Sequence, residues 1–389
     1  MQYSDLVERI DVPGSKAWLV NTEAQKRKRN GEDVIVLAIG DHEFDTSEQI
    51  VSAGIESLNR GRHHYTPAAG ERHLKQAVVD FHRRVNKHTI TPANVVIVPG
   101  AQCGLFTTCM CLFNPGDEVI VPDPMYSTYE GTIHCSGATV KPLKLRAELD
   151  FQLEPDDLAG AVGPNTKGLF LNTPHNPSGA VLRQDTMKEI TALCKENDVW
   201  IVSDEVYATM TFDVPHVSPS VFPGMLERTV VIASMSKSYA MTGWRLGWCI
   251  TDKITAHNIE LLLGNVLFGV APFVQDAAAK ALQDESIPAE ITAVYRRRRD
   301  FVLQRLQQVP NLKFHKPDGA MYLMIDIRPT GLDSEDFAWR LLDEQKVGVL
   351  PGEGFGPGGA GHIRLSLSAS DKDIARACDR IEVFVNSLI

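Results

Sequence analysis

Short apolar runs alternate with longer amphipathic segments through the middle of the chain. The runs are rich in Val, Ile and Leu and lie at 95–98, 118–121, 139–142, 166–171, 199–202, 229–233 and 246–251. Apolar residues at helical spacing fill many of the intervals, notably 74–85, 103–112, 155–162 and 184–196. Runs this short and apolar are typical of strands buried on both faces. The pattern therefore predicts an α/β fold with a mainly parallel sheet flanked by helices, whose ligands lie at the carboxyl ends of the strands.

The pattern changes near residue 285, at Glu285-Ser286-Ile287-Pro288. Beyond this point come a long charged helical segment at 287–308, apolar runs at 322–327, 347–350 and 363–367, and amphipathic segments at 334–344 and 372–388. Helices and strands mixed in this order predict a smaller α+β domain. We therefore place a domain boundary at residue 285.

Composition and charge narrow the class of protein. The 389 residues are 43% hydrophobic, enough for a large core, and the formal net charge of −10 argues against nucleic-acid and anionic-membrane partners. Two short basic runs, 26–29 and 296–299, are predicted to be solvated helix faces. Seven cysteines without a paired metal motif predict reduced thiols and no metal site. Since no run approaches the ~20 apolar residues of a membrane-spanning helix, we expect a soluble, cytoplasmic protein without a membrane partner.

The segment 234–248 carries the most distinctive chemistry, with the sequence Ser-Met-Ser-Lys-Ser-Tyr-Ala-Met-Thr-Gly-Trp-Arg-Leu-Gly-Trp. It places Lys237 between two predicted strands, near Ser234, Ser236 and Arg245. Hydroxyl and backbone donors can surround a phosphate, and an arginine can bind it through two hydrogen bonds. A lysine amine in a partly desolvated pocket can form a Schiff base with an aldehyde, which is how pyridoxal phosphate is held. The alternative is a solvated surface lysine.

Three other positions suit such a site. Asp204 follows the run 199–202, so its carboxylate lies at the carboxyl end of a predicted strand, where it can pair with a protonated pyridine nitrogen or simply cap a turn. Arg364 interrupts the run 363–367, and a buried arginine needs an anion. Residues 99–104 join a strand to a helix, whose first N–H groups attract a phosphate.

Three motifs resemble those of the class I aminotransferases, pyridoxal-phosphate enzymes of the aspartate aminotransferase fold. They are Ser-x-Ser-Lys at 234–237, Gly-Trp-Arg-Leu-Gly-Trp at 243–248 and Asn-Pro-x-Gly at 176–179, and the likeness covers nearly the whole chain. The resemblance implies a mainly parallel seven-stranded sheet flanked by helices, with a smaller α+β domain. It also implies that residues 1–45 join 286–389 in the small domain and leave 46–285 as the large, cofactor-binding domain.

The resemblance assigns roles to individual residues. Lys237 would hold pyridoxal 5′-phosphate as a Schiff base, Asp204 would face its pyridine nitrogen and Tyr207 would bond its ring hydroxyl, so these three are the implied catalytic residues. The other implied cofactor ligands are Asn176 at the ring hydroxyl, Tyr126 stacked on the ring, Ala101, Gln102, Ser234, Ser236 and Arg245 around the phosphate, and Tyr65 of a neighbouring subunit. The family often has a hydroxyl residue in place of Ala101. The role of Tyr65 implies a homodimer with shared active sites.

Substrate contacts follow from the same resemblance. Arg364 would bind the substrate α-carboxylate, together with Asn176 and the backbone of Gly40. In the loop after Gly40, the family usually has proline and aspartate where this chain has His42 and Glu43. Because this loop borders the substrate, Glu43 has two predicted roles, as a partner for a cationic substrate side chain or as a cap.

The implied reaction transfers the α-amino group of an L-amino acid to a 2-oxo acid, pyruvate or 2-oxoglutarate. Several segments, among them Pro-Gly-Ala-Gln-Cys at 99–103 and Ala-Gly-His-Ile-Arg-Leu at 360–365, look most like arginine–pyruvate transaminases. One alternative is a lyase that eliminates a β- or γ-substituent, since its cofactor residues would be identical. A non-catalytic sensor domain is a second alternative, disfavoured because Lys237 is retained.

Overall fold

We describe a computed structural model of the chain, which covers residues 3–12 and 18–388. Its strands are β1 (Ile35–Val36), β2 (Val95–Val98), β3 (Glu118–Asp123), β4 (Thr139–Lys144), β5 (Thr166–Asn172), β6 (Trp200–Asp204), β7 (Thr229–Ser234), β8 (Gly247–Ile250), β9 (Lys313–Phe314), β10 (Tyr322–Asp326), β11 (Val347–Gly348), β12 (Leu350–Pro351) and β13 (His362–Ser366). Its α-helices are α1 (Asp5–Arg9), α2 (Trp18–Arg29), α3 (Glu48–Asn59), α4 (Arg72–Asn86), α5 (Ala101–Leu112), α6 (Tyr129–His134), α7 (Pro155–Ala161), α8 (Gln184–Glu196), α9 (Met235–Ser238), α10 (Lys253–Val266), α11 (Pro272–Ala281), α12 (Ser286–Leu306), α13 (Ser334–Gln345) and α14 (Asp371–Asn386).

The central sheet has seven strands in the order β2-β8-β7-β6-β5-β3-β4. All neighbours from β7 to β4 are parallel, whereas β8 is antiparallel to both β2 and β7. Every residue of β7 is buried, as expected for Val- and Ile-rich strands covered on both faces. The predicted α/β fold, with a mainly parallel seven-stranded sheet flanked by helices, is confirmed.

Parallel pairing decides where the polar strand ends meet. β6 lies beside β7, with Asp204 paired to Ile232, and beside β5, with Asn172 paired to Asp204. The three strands therefore end at one edge of the sheet. Lys237 follows the end of β7 on α9, so it reaches the same edge as Asp204, where ligands of such sheets bind.

Two smaller sheets come mainly from the C-terminal part of the chain. β12, β13, β10 and β9 form an antiparallel sheet in that order, and β1 pairs in parallel with β11. The β1–β11 pair ties the segment before α3 to the C-terminal part. We propose on this basis that 1–45 and 286–389 form one domain and 46–285 the other, and the division stays a prediction.

The basic run at 296–299 differs from its prediction. Arg298 and Arg299 are 6% and 1% exposed, so the prediction of a solvated helix face is wrong for these two. Other segments supply carboxylates to them, Glu43 and Asp371 to Arg298 and Asp213 to Arg299, and a buried guanidinium is tolerated when it is paired in this way. Within the described ranges, no helix has both the length and the hydropathy needed to cross a membrane.

Candidate active site

The carboxyl ends of β5, β6 and β7 border a cavity of about 240 Å³. The start of α5, the strands β10 and β13 and the segment before α3 complete its wall. Twelve of the predicted site residues line it, namely Gly40, Ala101, Gln102, Tyr126, Asn176, Asp204, Tyr207, Ser234, Ser236, Lys237, Arg245 and Arg364. The fold therefore collects in one place side chains that are far apart in sequence.

Lys237 lies on α9, a four-residue helix that follows β7 directly. Ser234 caps this helix, because its hydroxyl accepts a hydrogen bond from the backbone N–H of Ser236 at 3.0 Å. The half-buried Lys237 amine donates a hydrogen bond to the backbone carbonyl of Gly40. The amine therefore faces the cavity rather than bulk solvent.

Asp204 ends β6 and is only 5% exposed. Burial raises the pKa of its carboxyl group to about 6. Two hydrogen bonds oppose this rise in pKa, one from the Tyr129 hydroxyl at 2.6 Å and one from the Val206 N–H at 3.2 Å. No Lys, Arg or His within the described ranges forms a salt bridge with Asp204, and the charge of Lys237 lowers its pKa by less than burial raises it. A buried carboxylate without a salt-bridge partner is costly, and it suits a site that receives a cationic ligand atom.

Arg364 lies in β13 and is 1% exposed. The ring centroids of Tyr322 and Phe355 lie 4.1 and 4.5 Å from its Cζ. It donates from Nη1 to Oδ1 of Asn176 at 2.8 Å and from Nη2 to the Ala38 carbonyl at 2.5 Å, while its buried Nε has no hydrogen-bond partner in the described part of the chain. Burial lowers the pKa of this guanidinium. A buried cation with neutral partners and an unpaired donor fits recognition of a carboxylate.

The start of α5 offers backbone donors. This helix begins at Ala101, and the first N–H groups of a helix have no intrahelical acceptor, which favours an anion there. The side chain of Gln102 is already occupied, since it donates to Thr132 at 2.9 Å and accepts from Thr128 at 2.9 Å. Ala101 and Gln102 can therefore serve an anion through their backbones.

Side-chain donors complete this part of the cavity. The hydroxyls of Ser234 and Ser236 line it together with Arg245. Arg245 packs against Gly100, where an added Cβ would lie 2.4 Å from its Nη2, so only glycine permits this close approach. The Ser234 hydroxyl already donates to Ser236 Oγ at 2.8 Å, so the Ser236 hydroxyl, the Arg245 guanidinium and the helix start form the donor set that suits a phosphate.

The aromatic residues of the cavity contact one another. The Tyr207 hydroxyl lies 3.0 Å from the Tyr322 hydroxyl, and the rings of Tyr126 and Tyr129 meet edge to face at 5.5 Å. Tyr65 is the predicted residue that the chain does not bring to its own cavity. It is 87% exposed and contacts Phe268, which is 70% exposed.

The aromatic cavity residues that sequence reasoning missed are Trp18, Tyr129 and Tyr322. Tyr129 comes three residues after Tyr126 in the same motif, and this spacing was a usable signal of proximity. Tyr322 begins an apolar strand, where an aromatic residue is ordinary. Nothing local to Tyr322 indicates that it reaches the site.

The loop after Gly40 has a different arrangement from either prediction for Glu43. Both terminal nitrogens of Arg298 donate to the Glu43 carboxylate, so its negative charge is already paired within the chain. Glu43 is also not the cap of α3, because Ser47 occupies that position. Burial lowers the pKa of the nearby His42 to about 4, so its imidazole is neutral at pH 7.

Comparisons with known proteins agree with this geometry. The sequence model of the family "aminotransferase class I and II" matches residues 32–381. The arginine–pyruvate transaminase of Pseudomonas aeruginosa is 44% identical, covering 100% of this chain and 99% of its own. The aspartate aminotransferase of Pyrococcus horikoshii is 35% identical over 92% of this chain and 93% of its own. The aspartate aminotransferase of Thermus thermophilus, solved with maleate, superposes with a TM-score of 0.93 at 30% identity, covering 98% of this chain and 99% of that chain.

These relatives decide between the functions predicted from the sequence. Each is an aminotransferase, so neither the lyase nor the non-catalytic sensor has support. The family match covers both the Lys237 segment and the Arg364 strand. The chain belongs to the class I and II aminotransferase family, and it is an enzyme that transfers amino groups.

Proposed function

We propose that the cavity binds pyridoxal 5′-phosphate, the cofactor that the family implies, with Lys237 bonded to its aldehyde. The observation that carries this proposal is the coincidence of three features. A lysine amine faces the cavity, Asp204 is buried there without a salt-bridge partner among the described residues, and a phosphate-type donor set lies in the same wall. The cofactor has an aldehyde, a basic ring nitrogen and a phosphate, so each of its polar parts has a partner of matching chemistry.

The side chains then have distinct tasks. When bound, the cofactor would supply an electron sink for the electron pair left on the substrate α-carbon. Lys237 Nζ would take the α-proton and return it, as general base and then general acid. Arg364 would hold the α-carboxylate, and ionised Asp204 would keep the ring nitrogen protonated. Asn176 and Tyr207 would hydrogen-bond the ring hydroxyl.

We propose that the amino donor carries a cationic side chain, as arginine does, and that pyruvate is the acceptor. The name of the Pseudomonas aeruginosa relative supports this. A side pocket of about 610 Å³ adjoins the cavity, and Thr242 lines both. Its charged residues are Asp41, which accepts a hydrogen bond from Thr242 at 2.8 Å, and Asp45. Trp244 lies in the same wall, and an aromatic face with carboxylates suits a guanidinium.

We also propose that two chains share their active sites. Tyr65 is absent from the cavity of its own chain, and it forms an exposed apolar contact with Phe268. Exposed aromatic surface of this kind is typical of a protein interface. A second chain that covers this contact would place its own Tyr65 near the phosphate donors, as the resemblance implies.

The proposal is tested with the purified protein and pyridoxal 5′-phosphate. A panel of L-amino acids is supplied with pyruvate or 2-oxoglutarate, and the change in cofactor absorbance and the 2-oxo acid product are measured. Lys237→Ala should remove both the absorbance of the covalently held cofactor and turnover, whereas Lys253→Ala, at an exposed position on α10, should leave both intact. A Lys237→Ala variant with full absorbance and turnover would contradict the assignment.

Asp41→Asn tests the donor class. We expect about a tenfold rise in KM for arginine, equivalent to about 1.4 kcal/mol, with KM for alanine unchanged, because only the cationic side chain uses the carboxylate. Asp185→Asn, an exposed aspartate at the start of α8, is the matched control. If both donors are affected equally, or neither is, the donor proposal is wrong while the cofactor proposal stands.

A further inference from the structure

Tyr322 contacts three parts of the candidate active site, namely Tyr207, Arg364 and Gly40. It begins β10 and is 3% exposed. Its hydroxyl lies 3.0 Å from the hydroxyl of Tyr207, and its ring centroid lies 4.1 Å from Cζ of Arg364. The hydroxyl also touches Gly40, since a Cβ added there would lie 1.8 Å from it. The backbone carbonyl of Gly40 accepts the hydrogen bond of the Lys237 amine. Tyr322 therefore contacts both Arg364, which is proposed to bind the substrate, and Gly40, which holds the amine proposed to bind the cofactor.

The direction of the Tyr207–Tyr322 hydrogen bond matters because each phenol has one proton. The titratable groups that face Tyr207 are Tyr322 of β10, Arg364 of β13 and Tyr126, which follows β3. Arg364 carries donors only, so neither hydroxyl can donate to it. If Tyr207 donated to Tyr322, its proton would not be available to a ligand in the cavity. If Tyr322 donates, Tyr207 keeps its proton for a ligand oxygen, and the two bonds reinforce each other.

We propose that Tyr322 is a positioning residue that donates its proton to Tyr207, so that Tyr207 presents its own proton to the cofactor's ring hydroxyl, while the ring of Tyr322 supports Arg364. This inference rests on the proposed function of the cavity. It gives Tyr322 two separable parts. The hydroxyl acts on the cofactor through Tyr207, and the ring acts on the substrate carboxylate through Arg364. Since β10 belongs to the four-stranded sheet and Tyr207 follows β6, the pair also joins the two walls of the cavity.

Two substitutions separate these parts. Tyr322→Phe removes the hydroxyl and keeps the ring, whereas Tyr322→Leu removes both. We expect Tyr322→Phe to leave the KM for amino donors within about twofold, since the ring contact with Arg364 remains. Tyr322→Leu should raise KM about fivefold, because it removes one cation–π contact with Arg364 that is worth about 1 kcal/mol.

The decisive test is a pH titration of the absorbance of the bound cofactor in the holoenzyme, without substrate. Four proteins are compared: wild type, Tyr207→Phe, Tyr322→Phe and the double variant. Removing a donor leaves more of the negative charge on the ring oxygen uncompensated, which raises the proton affinity of the bound cofactor, so Tyr207→Phe should move the titration to higher pH. Tyr322→Phe should move it in the same direction by about threefold in proton affinity, a bond-polarisation effect smaller than loss of the bond itself. In the Tyr207→Phe background, Tyr322→Phe should add no further shift.

The outcomes separate this inference from the proposed function. An equal shift from Tyr322→Phe in both backgrounds would show that Tyr322 does not act through Tyr207, and no shift in the wild-type background would overturn the inference as well. In either case the Tyr207→Phe shift would leave the cofactor proposal standing. If none of the four proteins binds pyridoxal 5′-phosphate, both proposals are wrong. The dissociation constant of the cofactor, measured by adding it to the apoprotein, should rise in the order wild type, Tyr322→Phe, Tyr207→Phe.

Discussion

Two buried arginines, Arg364 in the cavity and Arg298 in α12, have opposite surroundings. Arg298 forms ion pairs with Glu43 and Asp371 and donates to the Leu367 carbonyl at 3.1 Å. Burial alone would lower its pKa, but the hydrogen bonds to the two carboxylates outweigh burial, and the pKa of Arg298 is raised. Among residues 3–12 and 18–388, Arg364 has only neutral hydrogen-bond partners and an unpaired Nε, and burial lowers its pKa.

The difference between them distinguishes structural from binding roles. A buried cation whose donors are satisfied by carboxylates of the same chain has no capacity left for a ligand. A buried cation without a carboxylate destabilises the empty protein and is stabilised when an anion arrives. Arg298 therefore holds segments together, and Arg364 is available to a substrate. Substitutions at Arg364, Asp204, Arg298 and Phe355 test this contrast, with effects that decrease in that order.

Replacing Arg364 should affect function far more than folding. We expect Arg364→Met to lower kcat/KM about 1,000-fold, or about 4 kcal/mol, because the substrate carboxylate loses its charged partner. The free energy of unfolding of the apoprotein, measured with urea, should stay equal or rise, since an uncompensated buried charge is removed. A variant within tenfold of the wild-type kcat/KM would place the carboxylate elsewhere.

Asp204, like Arg364, is a buried charged group without a salt-bridge partner among the described residues. Its raised pKa predicts how the stability of the apoprotein changes with pH. The folded-state pKa of about 6 lies above the ordinary 3.8, so the stabilising contribution of the protonated form is complete below about pH 4 and lost as pH rises through 6. Asp204→Asn should therefore make the apoprotein about 3 kcal/mol more stable than wild type at pH 8, with little difference at pH 4.

Urea unfolding of the apoproteins at both pH values measures the effect at Asp204, with Asp185→Asn as the exposed control. Equal stability of Asp204→Asn and wild type at pH 8 would mean that the carboxylate is compensated. The same variant should bind pyridoxal 5′-phosphate more weakly, because the cationic ring nitrogen loses its partner.

Replacing Arg298 should reverse the pattern found for Arg364. We expect Arg298→Met to lower the free energy of unfolding by about 2 kcal/mol, less than for a fully buried pair because Glu43 and Asp371 can be rehydrated. Since Arg298 lies outside the cavity lining, kcat/KM per folded molecule should stay within about threefold. Arg297→Met, at a side chain 60% exposed that also pairs with Asp371, is the matched control and should cost less than about 0.5 kcal/mol. A similar loss of unfolding free energy in both variants would show that the burial of Arg298 does not strengthen its ion pairs.

The smallest effect is expected at Phe355, the second aromatic ring beside the Arg364 guanidinium. Phe355→Leu removes one cation–π contact at 4.5 Å, which is worth about 1 kcal/mol. KM for amino donors should rise about fivefold with kcat nearly unchanged, as steady-state kinetics will show. Phe301→Leu, on α12 and 37% exposed, should leave both constants unchanged.

A residue's role could be predicted when it depends on nearby residues in the sequence, but not when it depends on contacts between distant segments. Lys237 and its serines lie in one continuous segment, and Asp204 directly follows an apolar run, so local pattern alone placed both at strand ends. Tyr322 belongs to the site only because β10 pairs with β13 and meets the loop at Gly40. The two roles predicted for Glu43 followed from its place in the loop after Gly40, whereas its actual partner, Arg298, lies on a helix more than 250 residues later in the chain.

Local patterns in the sequence predicted the α/β architecture with a mainly parallel sheet and placed Lys237 and Asp204 at strand ends, whereas the number of seven strands and most of the site roles came from the family resemblance. Local patterns carry that much because strand burial and helix periodicity are properties of short segments. The tertiary structure alone decided which buried charges are paired and which are open, and which aromatic rings surround Arg364. Burial and hydrogen-bond partners depend on segments brought together from distant parts of the chain, and no local pattern contains that information.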